Sequence, residues 1–302
     1  MHAHGLLHCC LFSAACLSSA LGNTSGYELA RRFNSWKNVT YKKKGFAHGT
    51  DAVISKKLGM IFVDNVKSGS QTVRNRIKDA TGAYWQHWEI EEHKGCGGCC
   101  HRTGTACVTE SESRKLFRWS IVRDPVKKFE SGVRQIWSRG GENADLSADE
   151  LLTKQLRMPL GKWIDEHAAS NTWRLTGRTR GANANALALS FVGKLERLYT
   201  DWPAVVGEIV RRSKRSTFRK ALLKPLPHTH ALSHMNKRTG KTSLLSFGAI
   251  RRMCASAHYG DEWSAFDYPK PAACATKRRR LGRAMGAPNA SFVRARRVDA
   301  HI

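Results

Sequence analysis

The chain has 302 residues, with 51 lysines and arginines against 24 aspartates and glutamates, so its formal net charge at pH 7 is +27. This length suffices for one large α/β domain or two small ones. The charge indicates an anionic partner: nucleic acid, anionic lipid or an anionic polysaccharide. No zinc-finger, homeodomain or RNA-recognition signature is present and the basic residues are spread along the whole chain, so we do not expect nucleic acid.

The N-terminal 22 residues favour a secretory signal peptide or a short membrane anchor. Residues 5–21 are apolar and contain no Lys, Arg, Asp or Glu, and Ala20-Leu21-Gly22 fits a small-x-small cleavage site. The run is at the short limit for a transmembrane helix, so we favour a cleaved signal over an anchor that associates with the membrane. Asn-x-Ser/Thr sites consistent with a secreted glycoprotein follow at Asn23, Asn38 and Asn289.

Residues 23–56 are polar and basic with little periodicity, which predicts a stem or linker ahead of a main domain at 57–270. That domain begins with a short apolar run, Met60 to Val63, which predicts a buried strand. Val73 and Ile77 lie four apart and begin an amphipathic helix.

Between this strand and this helix lies a small-residue loop, Lys67-Ser68-Gly69-Ser70-Gln71-Thr72. Such a loop at a helix N-terminus is typical of an anion site, because free backbone N–H groups and the helix dipole favour negative charge. Gly69 would let the backbone approach the anion, the loop hydroxyls would donate hydrogen bonds, and Lys67 would add a positive charge. An ordinary turn with a solvated lysine is the alternative.

A cysteine-rich segment follows a candidate second strand at residues 83–90. Its Cys-x-x-Cys spacing with nearby histidines is compatible with zinc, whereas in an oxidising lumen the same cysteines would form disulfides. We favour disulfides, without a choice of pairing, among Cys96, Cys99, Cys100 and Cys107. We expect a further bridge between Cys254 and Cys274 near the C-terminus.

A second strand-to-helix transition occurs at residues 116–137. Leu116 to Asp124 predicts a strand ending in charge, and Pro125 is suited to the first position of the following helix. Arg123 would lie at the carboxyl end of this strand and Ser131 two turns into the helix. A local ion pair between Arg123 and Asp124 is the alternative to a binding role.

The two transitions together resemble the nucleotide-binding motifs of sulfotransferases that use 3′-phosphoadenylyl sulfate (PAPS). Residues 67–72 are similar to the 5′-phosphosulfate loop of that family, and differ from the P-loop of kinases in that the lysine precedes the glycine. Arg123 and Ser131 have the spacing of the arginine and serine that hold the 3′-phosphate. Within the family, the chain looks most like the Golgi carbohydrate sulfotransferases. Weaker matches lie at residues 191–202 and 259–269, where we expect packing elements.

The resemblance implies transfer of a sulfuryl group from PAPS to a hydroxyl of an anionic or neutral glycan, without a metal, in the Golgi. It implies that Lys67 stabilises the leaving group and that residues 67–72, Arg123 and Ser131 bind PAPS. A His or Glu between the motifs would remove the hydroxyl proton. We rank His93 first, followed by His87, His101 and Glu89.

The resulting expectation is a three-layer α/β domain, with a mainly parallel central sheet flanked by helices, in the P-loop-like sulfotransferase fold. Its ligand would bind at the carboxyl ends of the strands. Residues 271–302 would form a basic, mobile tail. The alternative function is a non-catalytic basic protein on the same fold that binds anionic glycan or nucleic acid.

Overall fold

The structure is a computed structural model that describes residues 24–44, 50–55, 58–81, 86–88, 110–176, 188–213, 217–224, 226 and 243–275. Five strands form one sheet: β1 (Thr50–Ser55), β2 (Met60–Val63), β3 (Gln86–Trp88), β4 (Phe117–Val122) and β5 (Phe191–Lys194). The first five helices are α1 (Gly26–Lys44), α2 (Ser70–Thr81), α3 (Glu110–Lys115), α4 (Pro125–Arg139) and α5 (Ala148–Arg157). The next five are α6 (Asn171–Thr176), α7 (Leu198–Ser213), α8 (Thr217–Leu222), α9 (Phe247–Ala255) and α10 (Glu262–Ala265).

The sheet is mainly parallel, with the strand order β3-β1-β2-β4-β5. β2 pairs with β4 and β4 pairs with β5 in parallel, whereas β1 is antiparallel to both β2 and β3. Four strands therefore run in one direction and β1 runs against them. The predicted α/β class with a central sheet is confirmed at this level.

Side chains that alternate along the strands build two hydrophobic cores, one on each face of the sheet. Ile61 and Val63 of β2 belong to the first core, together with residues of α1, α4, α5 and α9. Met60 and Phe62 belong to the second core, together with residues of α2, α7 and α8. Helices thus cover both faces, and the parallel strands β2, β4 and β5 are buried on both sides, as expected for parallel pairing.

The region predicted as a stem differs from that expectation. Residues 26–44 form α1, whose Leu29 and Phe33 are fully buried, and residues 50–55 form β1 inside the sheet. Asn34 fixes this helix through a reciprocal pair of hydrogen bonds with the backbone of Leu189, at 2.8 and 2.9 Å. The folded domain therefore includes most of the predicted stem, because a few apolar side chains at helical spacing suffice to pack a largely polar helix.

Other sequence predictions have mixed outcomes. The sulfur atoms of Cys254 and Cys274 lie at disulfide distance, with their Cα atoms 5.6 Å apart. Only residues 86–88 of the candidate strand at 83–90 are described as a strand, at the sheet edge. Within the described residues, no helix combines the length and apolar content needed to cross a membrane. The segments 1–23, 89–109 and 276–302 lie outside the described residues, and the second of them contains the cysteine-rich segment.

Candidate functional site

The candidate site lies where three parallel strands end at the same edge of the sheet. β2 leads into residues 64–69, β4 leads into Arg123 and Asp124, and β5 leads into the turn Leu195–Arg197. The register of the parallel pairs places these three carboxyl ends side by side. Open α/β sheets bind ligands in this position. The sequence-predicted loop and Arg123 therefore occupy one edge of the molecule.

The loop after β2 has an unusual backbone conformation at two positions. Lys67 has a φ angle of 65° and Gly69 has a φ angle of 78°, both in the left-handed region. A Cβ atom at Gly69 would lie 2.6 Å from Cδ1 of Leu195, so the loop packs directly against the turn after β5. The Ser68 amide donates to the Asn65 carbonyl at 3.1 Å and closes the turn. This compact loop delivers the chain to the N-terminus of α2 at Ser70.

Arg123 connects the two predicted motifs. Its Nη1 atom donates to the carbonyl oxygen of Lys67 at 3.2 Å. Its pKa is lowered, first because the guanidinium is buried, and the carboxylate of Glu196 opposes that effect. Since a guanidinium has five N–H groups in a planar fork, this contact leaves further donors for an anion.

The backbone of Arg123 is held by Asn171, a fully buried residue that sequence analysis missed. The Asn171 side chain accepts from the Arg123 amide at 3.3 Å and donates to the Arg123 carbonyl at 2.9 Å. Its oxygen also lies 2.8 Å from Nδ2 of Asn65 and 3.4 Å from Oγ of Ser68, both donors. One amide thus ties the loop after β2 to the end of β4. No local pattern marks it, because it reaches the site only through the fold.

Lys67 extends from the loop to α4. Its Nζ donates to Oε1 of Gln135 at 3.1 Å. Burial, followed by the positive charge of Arg123, lowers the pKa of this lysine. Gln135 lies four residues after Ser131, so the predicted Ser131 lies on the face of α4 that Lys67 contacts. The four-residue spacing from Ser131 could have identified Gln135 as a candidate site residue from the sequence.

The predicted hydroxyl donors are more enclosed than the sequence alone indicates. Ser68 is fully buried and its hydroxyl faces Asn171. Ser70 and Thr72, in the first turn of α2, are also buried, while Gln71 is exposed. The loop can therefore present its helix N-terminus to an anion, whereas Ser68 contributes to holding the loop in place.

Two buried ionisable side chains, Glu262 and Lys128, support the segment that carries Asn171. The carboxylate of Glu262 accepts from the Asn171 side chain at 2.9 Å and from the Thr172 amide at 2.6 Å. Burial raises its pKa to about 7, and burial lowers the pKa of Lys128 to about 7. Lys128 donates to the Ala169 carbonyl. These bonds fix the segment that carries Asn171, so the Arg123 backbone has little freedom.

The two weaker sequence matches contribute packing at the same edge. Glu196, in the turn after β5, accepts from the Asp124 amide at 3.0 Å and from the Tyr268 hydroxyl at 2.8 Å. The Lys194 ammonium donates to the Asp267 carbonyl at 2.7 Å. These contacts join the ends of β4 and β5 to the C-terminal segment.

The predicted general bases cannot be placed in this site. His93, His101 and Glu89 lie outside the described residues, and for His87 only its backbone position in the edge strand β3 is described. In the part of the chain that the structure describes, no group of three or more His, Cys, Asp or Glu side chains could hold a metal ion. Comparisons with protein-family models, curated proteins and solved structures found no match for this chain.

Proposed function

We propose that the protein is a sulfotransferase that moves a sulfuryl group from PAPS to a hydroxyl of a carbohydrate, on a P-loop-like sulfotransferase fold. The observation that carries this proposal is the hydrogen bond from Arg123 to the Lys67 carbonyl, at 3.2 Å. It joins two motifs that are 56 residues apart and that resemble the 5′-phosphosulfate and 3′-phosphate motifs of one family. PAPS carries its 5′-phosphosulfate and its 3′-phosphate on one ribose, so the two motifs that bind these groups must lie close together.

The proposed reaction is an in-line attack of the acceptor oxygen on sulfur. As the new S–O bond forms, the bond from sulfur to the 5′-phosphate oxygen breaks, and 3′,5′-ADP leaves with the electron pair. Negative charge grows on that bridging oxygen, so a nearby cation lowers the barrier. Lys67 supplies this cation, and the N–H groups of the loop and of the α2 N-terminus hold the phosphosulfate. Arg123 and Ser131 hold the 3′-phosphate, and the mechanism needs no metal.

The acceptor in this proposal is a glycan, anionic or neutral. The net charge of +27 favours an acidic one, because positive charge also steers anionic partners to the surface. The apolar N-terminal segment supports a place in the secretory pathway, in the Golgi lumen or at its membrane, with N-glycosylation. The same charge favours the second candidate function, a non-catalytic protein that binds anionic glycan or nucleic acid.

Calorimetry with 3′,5′-ADP separates the two functions. A transferase with a working donor site binds one 3′,5′-ADP per chain, and binds 5′-AMP more weakly because that nucleotide lacks the 3′-phosphate. A basic protein without the donor site binds heparin or RNA and shows no saturable 3′,5′-ADP site. Salt dependence alone does not distinguish them, since both bind polyanions through counterion release.

A further inference from the structure

A histidine–aspartate pair lies against α4, outside the predicted motifs. Asp165 precedes the short 3₁₀ turn Glu166–Ala168, which contains His167. The turn packs closely on α4 at Gly132, where an added Cβ atom would lie 2.4 Å from the His167 carbonyl oxygen. Only glycine allows this approach, so the pair is held on a rigid element.

The hydrogen bonds of the pair define its proton arrangement. Nδ1 of His167 lies 2.6 Å from Oδ1 of Asp165, and the His167 amide donates to the same oxygen at 2.7 Å. Because an ionised carboxylate only accepts, Nδ1 carries the proton and Nε2 keeps its lone pair. The Arg139 guanidinium lies against both ring nitrogens, with Nη2 3.2 Å from Nε2 and Nη1 3.4 Å from Nδ1, and Arg139 is half exposed. Nε2 of the imidazole therefore lies next to a hydrogen-bond donor on a half-exposed side chain.

The pair lies on the side of α4 that Lys67 contacts. Arg139 is four residues after Gln135, the residue that accepts from Lys67, so both lie on one face of the helix. The Arg139 guanidinium lowers the pKa of Lys67 and the Asp165 carboxylate raises it, which places both charges within electrostatic range of that lysine. The pair thus lies on the same face of α4 as the contact of the proposed leaving-group cation, and within electrostatic range of it.

We propose that His167, oriented by Asp165, accepts the proton of the attacking hydroxyl in the transfer reaction; this inference rests on the proposed function. The acceptor hydroxyl takes the place of the Arg139 donor at Nε2. As the acceptor oxygen bonds to sulfur, its proton moves to Nε2, and the electron pair of the broken S–O bond leaves on the 5′-phosphate. Asp165 stabilises the imidazolium that forms, so His167 replaces His93 as the first candidate base.

Charged side chains surround the His167 imidazole on α4 and on its own segment. Arg139 faces it from α4, and Asp165 and Glu166 belong to its own segment. Glu166 pairs with Arg174 of α6 at 3.3 Å. A base must be unprotonated to act, so transfer that depends on His167 should fall on the acid side of the pH profile.

The experiment compares wild type with His167→Gln and Asp165→Asn, and uses His258→Gln as the matched control. His258 is a partly buried histidine stacked edge-on against Trp163, with ring centroids 5.5 Å apart. Transfer from labelled PAPS is followed against pH with N-desulfated heparin, chondroitin and a p-nitrophenyl N-acetylglucosaminide as acceptors. Binding of 3′,5′-ADP and the melting temperature are measured on the same samples.

We expect His167→Gln to lower transfer by about 10²–10⁴-fold and to remove the acid limb of the pH profile, with unchanged 3′,5′-ADP binding. Added imidazole should restore part of the activity of this variant and should leave the activity of the control unchanged. Asp165→Asn should lower kcat without changing nucleotide binding. Wild-type-like transfer by His167→Gln, or an acid limb that persists in it, overturns this inference alone. A folded wild-type chain that transfers no sulfate to any acceptor overturns the proposed function and the inference with it.

Discussion

Replacing Arg123 with alanine should weaken 3′,5′-ADP binding selectively. The guanidinium donates one hydrogen bond to Lys67 and, in the proposed site, a charge-assisted fork to the 3′-phosphate. Losing a hydrogen bond to a charged group costs about 1.5–3 kcal/mol, which corresponds to a roughly 10- to 150-fold higher Kd. Asn171 holds the Arg123 backbone, so the end of β4 should keep its place in the variant. Binding of 5′-AMP should therefore change by less than about threefold.

Titration calorimetry with both nucleotides measures this difference. Arg211→Ala is the matched control, because it removes the same charge from an exposed arginine of α7 that pairs with Glu208 at 2.7 Å. The control should bind both nucleotides like wild type. Equal weakening for 3′,5′-ADP and 5′-AMP in Arg123→Ala would show that Arg123 only supports the loop, and would refute the assignment of the 3′-phosphate to it.

Three further predictions concern the loop and the cysteines. The lowered pKa of Lys67 means that its ammonium loses its proton at a lower pH than an ordinary lysine does. The rate of transfer should therefore decline at a lower pH on the alkaline side than an ordinary lysine would give. Lys67→Arg should move that decline to higher pH, because a guanidinium keeps its proton. Gly69→Ala should lower the free energy of unfolding by about 1–2 kcal/mol in urea titrations, because the φ angle of Gly69 is 78°. Adding Leu195→Ala should relieve only the part of this loss that comes from the clash with the Leu195 side chain. An unchanged urea midpoint of unfolding in Gly69→Ala would contradict the loop conformation. In a luminal protein, thiol counting after denaturation should find Cys96, Cys99, Cys100 and Cys107 oxidised. Four free thiols with about one zinc per chain would contradict the disulfide prediction for these cysteines.

The strand–loop–helix units were predictable from sequence because their signals are local. Met60 to Val63 and the helix after it have the burial that their apolar spacing predicts. Pro125 begins α4 and Asp124 caps it through the Lys127 amide, as a strand-to-helix transition requires. The position of Arg123 close to Lys67 follows from the rule that neighbouring parallel strands have their carboxyl ends at the same edge of the sheet.

The rest of the site depends on tertiary contacts that leave no local pattern. Asn171 is a neutral amide in a short helix, and it becomes central only because α6 packs between the loop and α10. The helix α1 was missed because its sequence is mostly polar, although Leu29 and Phe33 lie four apart. His167 follows the motifs in sequence instead of lying between them, so the resemblance directed attention elsewhere.

The most direct test of the proposed function is sulfate transfer from labelled PAPS to a glycan panel, with wild type and Lys67→Ala compared side by side. Lys220→Ala, at an exposed lysine of α8, is the charge-matched control. The account predicts labelled product with wild type and with the control, and a rate about 10²–10³-fold lower in Lys67→Ala at an unchanged melting temperature. Equal transfer by Lys67→Ala and wild type, or no transfer by a folded wild-type chain to any glycan, would contradict it.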